Sequence, residues 1–323
     1  MFTRKDIELR SIFVVNCLQG RIFKVQQGEL LLQDIQDGKT LTKFPFQKIL
    51  AVFIIGHATI TTPLVEKCRK YGVYLAVLKP NLRPVFTYGI DAEANYLLRE
   101  KQYKHNNDDL VIPSLIVLNK VQNQRKLLIN TRRKDELTIK AVNTCDTAAA
   151  LIAEVKTFHD LMGIEGWVAK DFFSAYFQDL DWKQRQPRLK CDEINVTLDI
   201  GYTLLFNYIE AFARMFGFDL YCGIYHRQWF KRKSLVCDLM EPFRCIIDRE
   251  TRKAFNLNHF KKEHFKEIKN EFMLKHEYNM LYYKTFFEAL IEYKTDVFQF
   301  IQHYYRHFMR GDFSQSAFSK FEL

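Results

Sequence analysis

Three side chains that can take part in metal chemistry lie close together in the second half of the chain. His226 is followed, after a short basic segment, by Asp238 and Glu241, which stand among apolar residues. Because the two acids are three residues apart, they share one face if the segment is helical. A carboxylate in apolar surroundings needs a partner, a proton or a cation. Carboxylate oxygens and one imidazole nitrogen suit a hard divalent cation, so the segment predicts a metal site.

The basic residues around these acids indicate a polyanionic substrate. They are Arg227, Lys231, Arg232, Lys233 and Arg244. We expect them to contact the phosphate backbone of DNA rather than base edges. A metal ion next to a bound polyanion predicts phosphodiester chemistry, in which charge that builds on phosphoryl oxygens is neutralised by the cation.

Length and charge are consistent with a nucleic-acid-binding protein of two domains. The chain has 323 residues, with 48 Lys and Arg against 38 Asp and Glu, for a net charge of +10. A basic protein of this size often binds nucleic acid, because neutralising phosphates releases counterions. The alternative is that the charge only keeps the protein soluble.

The cysteines and apolar runs indicate a cytoplasmic protein. Seven cysteines include no C-x-x-C pair, and their number is odd, which favours reduced thiols over a disulfide framework or a zinc knuckle. Charged residues near Met1 precede any apolar stretch, so we expect no secretory signal. The longest notable apolar run, 49–55, is far too short to span a membrane.

The hydrophobic pattern predicts a β-rich region followed by helices. Strands are predicted at 12–15, 21–25, 29–33, 49–55, 73–78 and 85–88, with one helix at 61–71 capped by Gly72. Helices are predicted at 95–103, from about Pro113, at 147–162 closed by Gly163, and at 164–177, 194–216, 258–276 and 277–310. The polar stretch 104–109 is the best candidate for a linker or loop.

Two further features had competing interpretations. Glu165 falls near the predicted start of a helix, where an acid is favoured as a cap, and the residues alone favour that role. Tyr304, Tyr305 and Phe308 either belong to the core or stack on bases, and the core is favoured because stacking platforms occur mainly on exposed sheets.

Together these segments resemble one family, the CRISPR adaptation integrases, the larger of the two proteins that insert new spacers. The resemblance runs over nearly the whole chain and is weakest after Phe255. In the first half the matching motifs are Ile54-Ile-Gly-His-Ala-Thr-Ile-Thr-Thr62, Arg99-x-x-Gln102 and Val117-Leu-Asn-Lys120 with Asn123-Gln124. In the second half they are Glu165-Gly-x-x-Ala169 with Tyr176-Phe177, Asn195-x-x-Leu198-x-x-Gly201-Tyr202-x-Leu204-Leu205, Gly223-x-x-His226 and Ser234-Leu-Val-x-Asp-Leu-Met-Glu-Pro-Phe-Arg244.

The resemblance implies a fold and a set of site residues. The fold is an α+β multidomain protein: a small N-terminal β-sandwich-like dimerisation domain (1–91), a connector (92–112) and an all-α catalytic domain (113–323). Glu165, His226 and Glu241 correspond to the metal ligands, for Mg²⁺ or Mn²⁺, which replaces the cap interpretation of Glu165. Asp238 corresponds to a further acid that supports the site. Arg227 stands where many members have Pro.

The resemblance also implies partners and an activity. Members pair through their N-terminal domains, and two such homodimers clamp a dimer of a small ferredoxin-like protein in a hetero-hexamer. The substrates are double-stranded DNA, namely the spacer precursor and the CRISPR repeat, which are joined by attack of a 3′-hydroxyl on a phosphodiester. Two alternatives remain open: a metal-dependent nuclease without integration, and a non-catalytic basic DNA-binding scaffold in which the acids are caps and ion-pair partners.

Overall fold

The computed structural model describes residues 2–17, 21–89, 95–105, 108–226, 228–311 and 318–323. An N-terminal β-strand region precedes a helical domain, as predicted. The strands are β1 (Ser11–Asn16), β2 (Arg21–Gln26), β3 (Glu29–Asp34), β4 (Thr40–Pro45), β5 (Ile49–Ile55), β6 (Tyr74–Leu78), β7 (Pro84–Tyr88), β8 (Phe265–Ile268) and β9 (Glu271–Leu274). The helices are α1 (Arg4–Leu9), α2 (Thr62–Tyr71), α3 (Tyr96–Lys104), α4 (Val111–Ile129), α5 (Glu136–Ile152), α6 (Phe158–Tyr176), α7 (Glu193–Arg214), α8 (Ser234–Met240), α9 (Arg244–Asn256), α10 (Asn279–Glu292) and α11 (Lys294–Arg310).

Two sheets form the N-terminal region. The larger has the order β1-β5-β6-β7, in which β1 and β6 run parallel to β5 and β7 runs antiparallel to β6. The smaller is the antiparallel sheet β2-β3-β4. Phe23 and Leu30 of the smaller sheet, Val52 and Leu75 of the larger sheet and Leu64 of α2 belong to one buried cluster. The two sheets and α2 therefore enclose a common core, which is the sandwich-like arrangement that the sequence predicts.

Strand β5 is covered on both faces. All seven of its residues are buried. Val52 faces the core of the two sheets, whereas Phe53 faces the helical domain and packs on Phe287 of α10, with 5.2 Å between the ring centroids. A strand covered on both sides requires apolar residues at every position, which explains the unbroken apolar run at 49–55.

Helix α7 is the central element of the helical domain. Five of its apolar residues have helical spacing and are all buried: Leu198, Tyr202, Leu205, Ile209 and Phe212. Its neighbours approach so closely at Gly201 that an added Cβ would lie 2.4 Å from Ile247 Cγ2 and 3.1 Å from the Phe286 ring. The aromatic residues Tyr304 and Phe308 of α11 are buried too, which confirms the prediction that they belong to the core.

The predicted helix at 147–162, closed by Gly163, is wrong. Helix α5 ends at Ile152 and α6 begins at Phe158, so Gly163 lies inside α6. The signal for the new helix is Thr157, whose hydroxyl accepts a hydrogen bond from the backbone N–H of Asp160. Threonine is a strong N-cap residue, and this cap outweighs the tendency of a glycine to end a helix.

The helix predicted at 258–276 is also wrong, because that stretch contains the antiparallel hairpin β8–β9. Lys269 and Asn270 at its tip both have left-handed backbone conformations, with φ of 53° and 64°. A two-residue hairpin turn of this kind requires positive φ at both positions, and asparagine adopts it readily. The backbone N–H of Phe272 also donates to the Lys190 carbonyl at 2.8 Å, which ties β9 to the loop before α7.

Other predicted elements differ as well. The stretch 277–310 forms two helices, α10 and α11, which meet at Tyr293. Helix α5 begins at Glu136 rather than at 147, and the sequence did not predict α1, β4 or α9. The bounds of the two predicted domains and the connector stay predictions. Within the described part of the chain, no helix combines the length and the apolarity that a membrane crossing requires.

Replacing Gly201 with alanine should destabilise the protein, because its Cβ overlaps Ile247 and Phe286. We expect the free energy of unfolding to fall by about 1–3 kcal/mol, measured by urea denaturation. Gly163→Ala is the matched control. Gly163 also lies inside a helix but has nothing within 4 Å of an added Cβ, so this change should stabilise by roughly 0.5–1 kcal/mol. Equal effects of the two substitutions would contradict the close packing at Gly201.

Candidate active site

Helix α6 carries Glu165 in its middle, two turns from its first residue. Glu165 is therefore not a helix cap, and the dipole argument for an acid at a helix start does not apply to it. Its side chain is 20% exposed. The hydroxyl of Tyr225 donates a hydrogen bond to Glu165 Oε2. The other carboxylate oxygen, Oε1, therefore points to the remaining members of the site.

A buried carboxylate holds the segment that carries His226. Asp238 of α8 is fully buried and accepts hydrogen bonds from the backbone N–H groups of Ile224, Tyr225 and His226 at 2.6, 3.1 and 2.8 Å. The segment comes this close because residue 223 is glycine: a Cβ there would lie 2.6 Å from the Ser234 Cβ. Asp238 therefore fixes both the course of the backbone and the position of the imidazole.

The same carboxylate orients the imidazole ring. His226 Nδ1 lies 2.8 Å from Asp238 Oδ1, and His226 Nε2 lies 3.8 Å from Glu241 Oε1. The two acids approach opposite nitrogens of one ring, so they lie on one face as their three-residue spacing predicts. An Nδ1 that donates to a carboxylate leaves the Nε2 lone pair available, which is the arrangement of a metal-ligating histidine.

Glu241 begins the 3-10 turn Glu241–Phe243 that follows α8, and its side chain is only 2% exposed. Its Oε2 accepts hydrogen bonds from Lys120 Nζ and Arg244 Nε, both at 2.8 Å. Burial raises the pKa of this carboxyl, but Arg244, Lys120 and His226 outweigh burial and hold the pKa well below its ordinary value. Glu241 is therefore ionised although it is buried.

Lys120 of α4 bridges two acids of the site, Glu165 and Glu241. Its ammonium lies 2.5 Å from Glu165 Oε1 and 2.8 Å from Glu241 Oε2, and its side chain is 11% exposed. Burial lowers the pKa of Lys120, but the two carboxylates outweigh this and raise it above the ordinary value. Sequence reasoning placed Lys120 in a motif but gave it no role. The available signal was the spacing of Asn119, Lys120, Asn123 and Gln124, which puts four polar side chains on one face of the helix, and all four are buried.

The donor set suits a divalent cation of the Mg²⁺ or Mn²⁺ type. Glu241 lies 3.8 Å from His226 Nε2, Lys120 bridges Glu241 to Glu165, and Asp238 supports the imidazole from behind. Within the residues that the structure describes, no three His, Cys, Asp or Glu side chains have the spacing to hold a metal ion as they stand. The Lys120 ammonium lies between the two carboxylates.

The predicted DNA-binding residues occupy different environments. Lys231 is exposed and Arg232 is half-buried, whereas Arg227 lies outside the described residues. Lys233 Nζ lies 2.5 Å from Glu210 Oε1 in the core, and Arg244 lies over the Tyr202 ring as well as against Glu241. Lys233 and Arg244 are therefore neutralised by buried acids. That these five residues bind the phosphate backbone of DNA stays a prediction.

Exposed aromatic rings lie in the same basic loop, and sequence reasoning missed them. Trp229 and Phe230 are 77% and 83% exposed, and Lys231 Nζ lies 5.0 Å from the centroid of the Phe230 ring. A cavity of 390 Å³ opens beside His226, with Phe158 and Met162 of α6 in its wall. Large exposed rings beside a candidate active site indicate a binding surface rather than core.

Helix α3 positions the segment that leads to His226. Arg99 Nε donates to the Gly217 carbonyl at 3.2 Å. Gln102 accepts from the backbone N–H of Asp219 at 2.9 Å and donates to the carbonyl of the same residue at 3.1 Å. The Arg99-x-x-Gln102 motif therefore fixes the position of the chain after α7 through hydrogen bonds.

Two buried asparagines next to Lys120 hold other parts of the chain against α4. Asn119 exchanges two hydrogen bonds with the backbone of Phe321, at 2.8 and 2.9 Å. Asn123 donates to the carbonyls of Phe321 and Pro242, at 2.9 and 3.2 Å. The segment 318–323 and the turn that begins at Glu241 are thus tied to the helix that carries Lys120.

A further buried acid, Asp248, lies behind Arg244. The Tyr202 hydroxyl donates to Asp248 Oδ1, and the Arg244 guanidinium lies 4.7 Å from the Tyr202 ring centroid. Burial raises the pKa of Asp248 to about 6, although Tyr202 and Arg244 lower it in part. Asp248 thus differs from Glu241: a hydroxyl faces it directly, whereas cations face Glu241.

Comparisons of sequence agree with the family resemblance. The family model described as CRISPR associated protein Cas1 matches residues 16–288. A CRISPR-associated endonuclease Cas1 of Thermodesulfovibrio yellowstonii is 28% identical over 233 residues, which cover 69% of this chain and 73% of that protein. One of Francisella tularensis subsp. novicida is 27% identical over 242 residues, covering 71% of this chain and 74% of that protein.

Solved structures show the same fold. A CAS1 protein from Thermotoga maritima has a TM-score of 0.73 at 20% identity, covering 92% of this chain and 97% of that one. A casposase bound to an integration product has a TM-score of 0.72 at 18% identity, covering 96% and 94%. A strand-rich N-terminal region followed by a helical domain is thus the fold of solved Cas1 proteins and of a casposase. The chain belongs to the Cas1 family of CRISPR-associated proteins.

Replacing Asp238 with asparagine should destabilise the protein strongly. An amide cannot accept all four of the hydrogen bonds that Asp238 receives, so buried donors would be left unpaired. We expect a loss of about 3 kcal/mol in the free energy of unfolding, measured by urea denaturation. The exposed Asp296→Asn is the control and should change stability by no more than about 0.5 kcal/mol. A loss below about 1 kcal/mol at Asp238 would show that the carboxylate does not organise this segment.

Asp248 should make stability depend on pH in a defined window. Its pKa rises from 3.8 to about 6 on folding, so the stabilisation it contributes is complete below about pH 4 and is lost as pH rises through 6. Relative to wild type, Asp248→Asn should gain up to about 3 kcal/mol between pH 4 and 7, at about 1.4 kcal/mol per pH unit. Urea denaturation of both proteins at pH 4, 5, 6 and 7 measures the difference, and a constant difference would contradict the raised pKa.

Proposed function

We propose that the protein is a metal-dependent DNA endonuclease and integrase. In this proposal it joins the 3′-hydroxyl end of a short foreign DNA fragment to a phosphodiester of a CRISPR array, which adds a new spacer. The observation that carries the proposal is that the Lys120 ammonium bridges Glu165 and Glu241, while Glu241 Oε1 also lies 3.8 Å from His226 Nε2. Family membership supports it, and so do the names of the relatives, which are Cas1 endonucleases, and of a neighbour that is a casposase bound to an integration product.

The residues of the site have distinct roles in this proposal. Glu165, Glu241 and His226 would hold a Mg²⁺ or Mn²⁺ ion, which when bound supplies Lewis-acid neutralisation of the charge on the phosphoryl oxygens. Asp238 keeps the His226 ring oriented, and Tyr225 keeps one oxygen of Glu165 engaged so that the other faces the site. These two contacts orient His226 and Glu165 before a metal ion binds.

The loop beside the site fits a nucleic-acid strand. Lys231 is exposed and can contact phosphates, and Arg232 lies next to it. The exposed rings of Trp229 and Phe230 offer flat surfaces on which bases stack whatever their sequence. The strand that carries the reacting end would therefore approach His226 along this loop.

The proposal includes a protein partner. One structural neighbour is a chain of a Cas6-RT-Cas1–Cas2 complex, with a TM-score of 0.76 at 20% identity over 95% of this chain and 36% of that one. We propose that this chain likewise assembles with a small ferredoxin-like Cas2 protein, as a homodimer paired through the N-terminal sheets within a hetero-hexamer.

A strand-joining assay tests the reaction. Wild-type protein with a Cas2 partner and Mn²⁺ should join a short duplex with 3′-hydroxyl ends to a supercoiled plasmid that carries a CRISPR repeat. Glu241→Gln should reduce joining at least about 100-fold, or about 2.7 kcal/mol in activation free energy, because the cation site loses a charged ligand. Chelation of the metal should have the same effect. Glu267→Gln, an exposed acid on the β8–β9 hairpin, should leave joining unchanged.

The same assay separates the two alternatives. A duplex with 3′-deoxy ends should abolish joining, because the attacking hydroxyl is missing. A nuclease without integration would cut the plasmid equally with either duplex and leave no joined strands. A DNA-binding scaffold would show no chemistry, and Glu241→Gln would change nothing.

A further inference from the structure

The ammonium of Lys120 occupies the space between the two carboxylates of the candidate active site. It lies within hydrogen-bonding distance of Glu165 Oε1 and of Glu241 Oε2, at 2.5 and 2.8 Å. One nitrogen atom thus bridges an acid of α6 and an acid that follows α8. Arg244 differs, because its Nε contacts Glu241 alone. Among the described residues, Lys120 is therefore the cation that contacts both acids.

The backbone that carries Lys120 is held firmly, whereas its side chain is long and flexible. Asn119 and Asn123, on either side, are hydrogen-bonded to Phe321, and Asn123 also reaches the carbonyl of Pro242. Helix α4 therefore cannot move away from the site without breaking buried hydrogen bonds. The four-carbon stem of lysine can instead change rotamer, which displaces the ammonium while the helix stays in place.

A divalent ion and this ammonium compete for the same oxygen atoms. Mg²⁺ contacts its oxygen ligands at about 2.0–2.1 Å and demands a nearly octahedral arrangement. Lys120 now holds Glu165 Oε1 and Glu241 Oε2, whereas Glu241 Oε1 lies 3.8 Å from His226 Nε2. Tyr225 already holds Glu165 Oε2, so an ion bound by His226 and both acids would have to take Glu165 Oε1 from Lys120. Two cations sharing these oxygens at such distances would repel each other strongly.

We propose that Lys120 is an internal counter-cation that keeps Glu165 and Glu241 paired before metal binds, and that its ammonium must leave this position when a divalent ion enters. The inference rests on the proposed function, because it takes the two acids as metal ligands. Lys120 thereby stabilises the metal-free site and weakens metal binding at the same time. Its role is to set the metal concentration at which the site fills.

Calorimetric titration of Mn²⁺ into Lys120→Met tests the proposal. Methionine keeps an unbranched side chain of similar length but has no charge. We expect Mn²⁺ to bind at least about tenfold more tightly than to wild type, or about 1.4 kcal/mol, because no ammonium has to be displaced. The metal-free variant should melt at a lower temperature than wild type, and Mn²⁺ should raise its melting temperature by more than it raises that of wild type. Lys126→Met, an exposed lysine on the same helix, should match wild type in all three measurements.

Weaker or equal Mn²⁺ binding by Lys120→Met would overturn the proposal, because Lys120 would then be only a structural ion-pair partner.

Acetylation of lysines in wild-type protein, followed by mass spectrometry, gives a second measurement that needs no variant. Lys120 should become at least about threefold more reactive when Mn²⁺ is added, as a buried paired group becomes accessible, whereas Lys126 should not change. Unchanged reactivity of Lys120 in Mn²⁺-saturated protein would also overturn the proposal. If Glu165→Gln and Glu241→Gln bind Mn²⁺ as tightly as wild type does, the proposed function fails instead, since these acids would not be ligands.

Discussion

Charge compensation inside an apolar protein is the constraint on which the site depends. Glu241 is almost completely buried, and a carboxylate there stays ionised only if cations approach it. Lys120 and Arg244 supply those cations, and Lys120 extends the compensation to Glu165. One buried network thus links α4, α6 and the turn after α8. These elements are far apart in the chain, so the network also determines how they pack.

A second buried carboxylate organises the segment before α8 by hydrogen bonds rather than by charge pairing. Asp238 gathers three consecutive backbone N–H groups and one imidazole nitrogen. An irregular loop can stay ordered inside a protein only if its polar backbone groups are satisfied, and here one side chain satisfies three of them. The result is an imidazole whose second nitrogen faces Glu241. The same network that stabilises the loop therefore orients His226 towards Glu241.

Much of the fold and part of the site could be predicted because they depend on local patterns. The unbroken apolar run of β5 and the helical spacing of apolar residues in α7 are local patterns, so both elements were predicted with nearly correct bounds. The prediction failed at Gly163 and at Lys269-Asn270. In both places a cap or a turn, rather than periodicity, decides where an element begins, and such signals involve only one or two residues.

The sequence by itself determined which residue types are available for chemistry: a histidine, two acids three residues apart, a distant Glu165 and a basic loop. It also carried the motif order that identifies the Cas1 family. Only the tertiary structure decided that Lys120 lies between Glu165 and Glu241, and that Glu165 lies inside α6 rather than at its start. The physical reason is that an ion pair depends on distance in space. Residues 120, 165 and 241 meet only after three helical segments have packed, and no local pattern records that meeting.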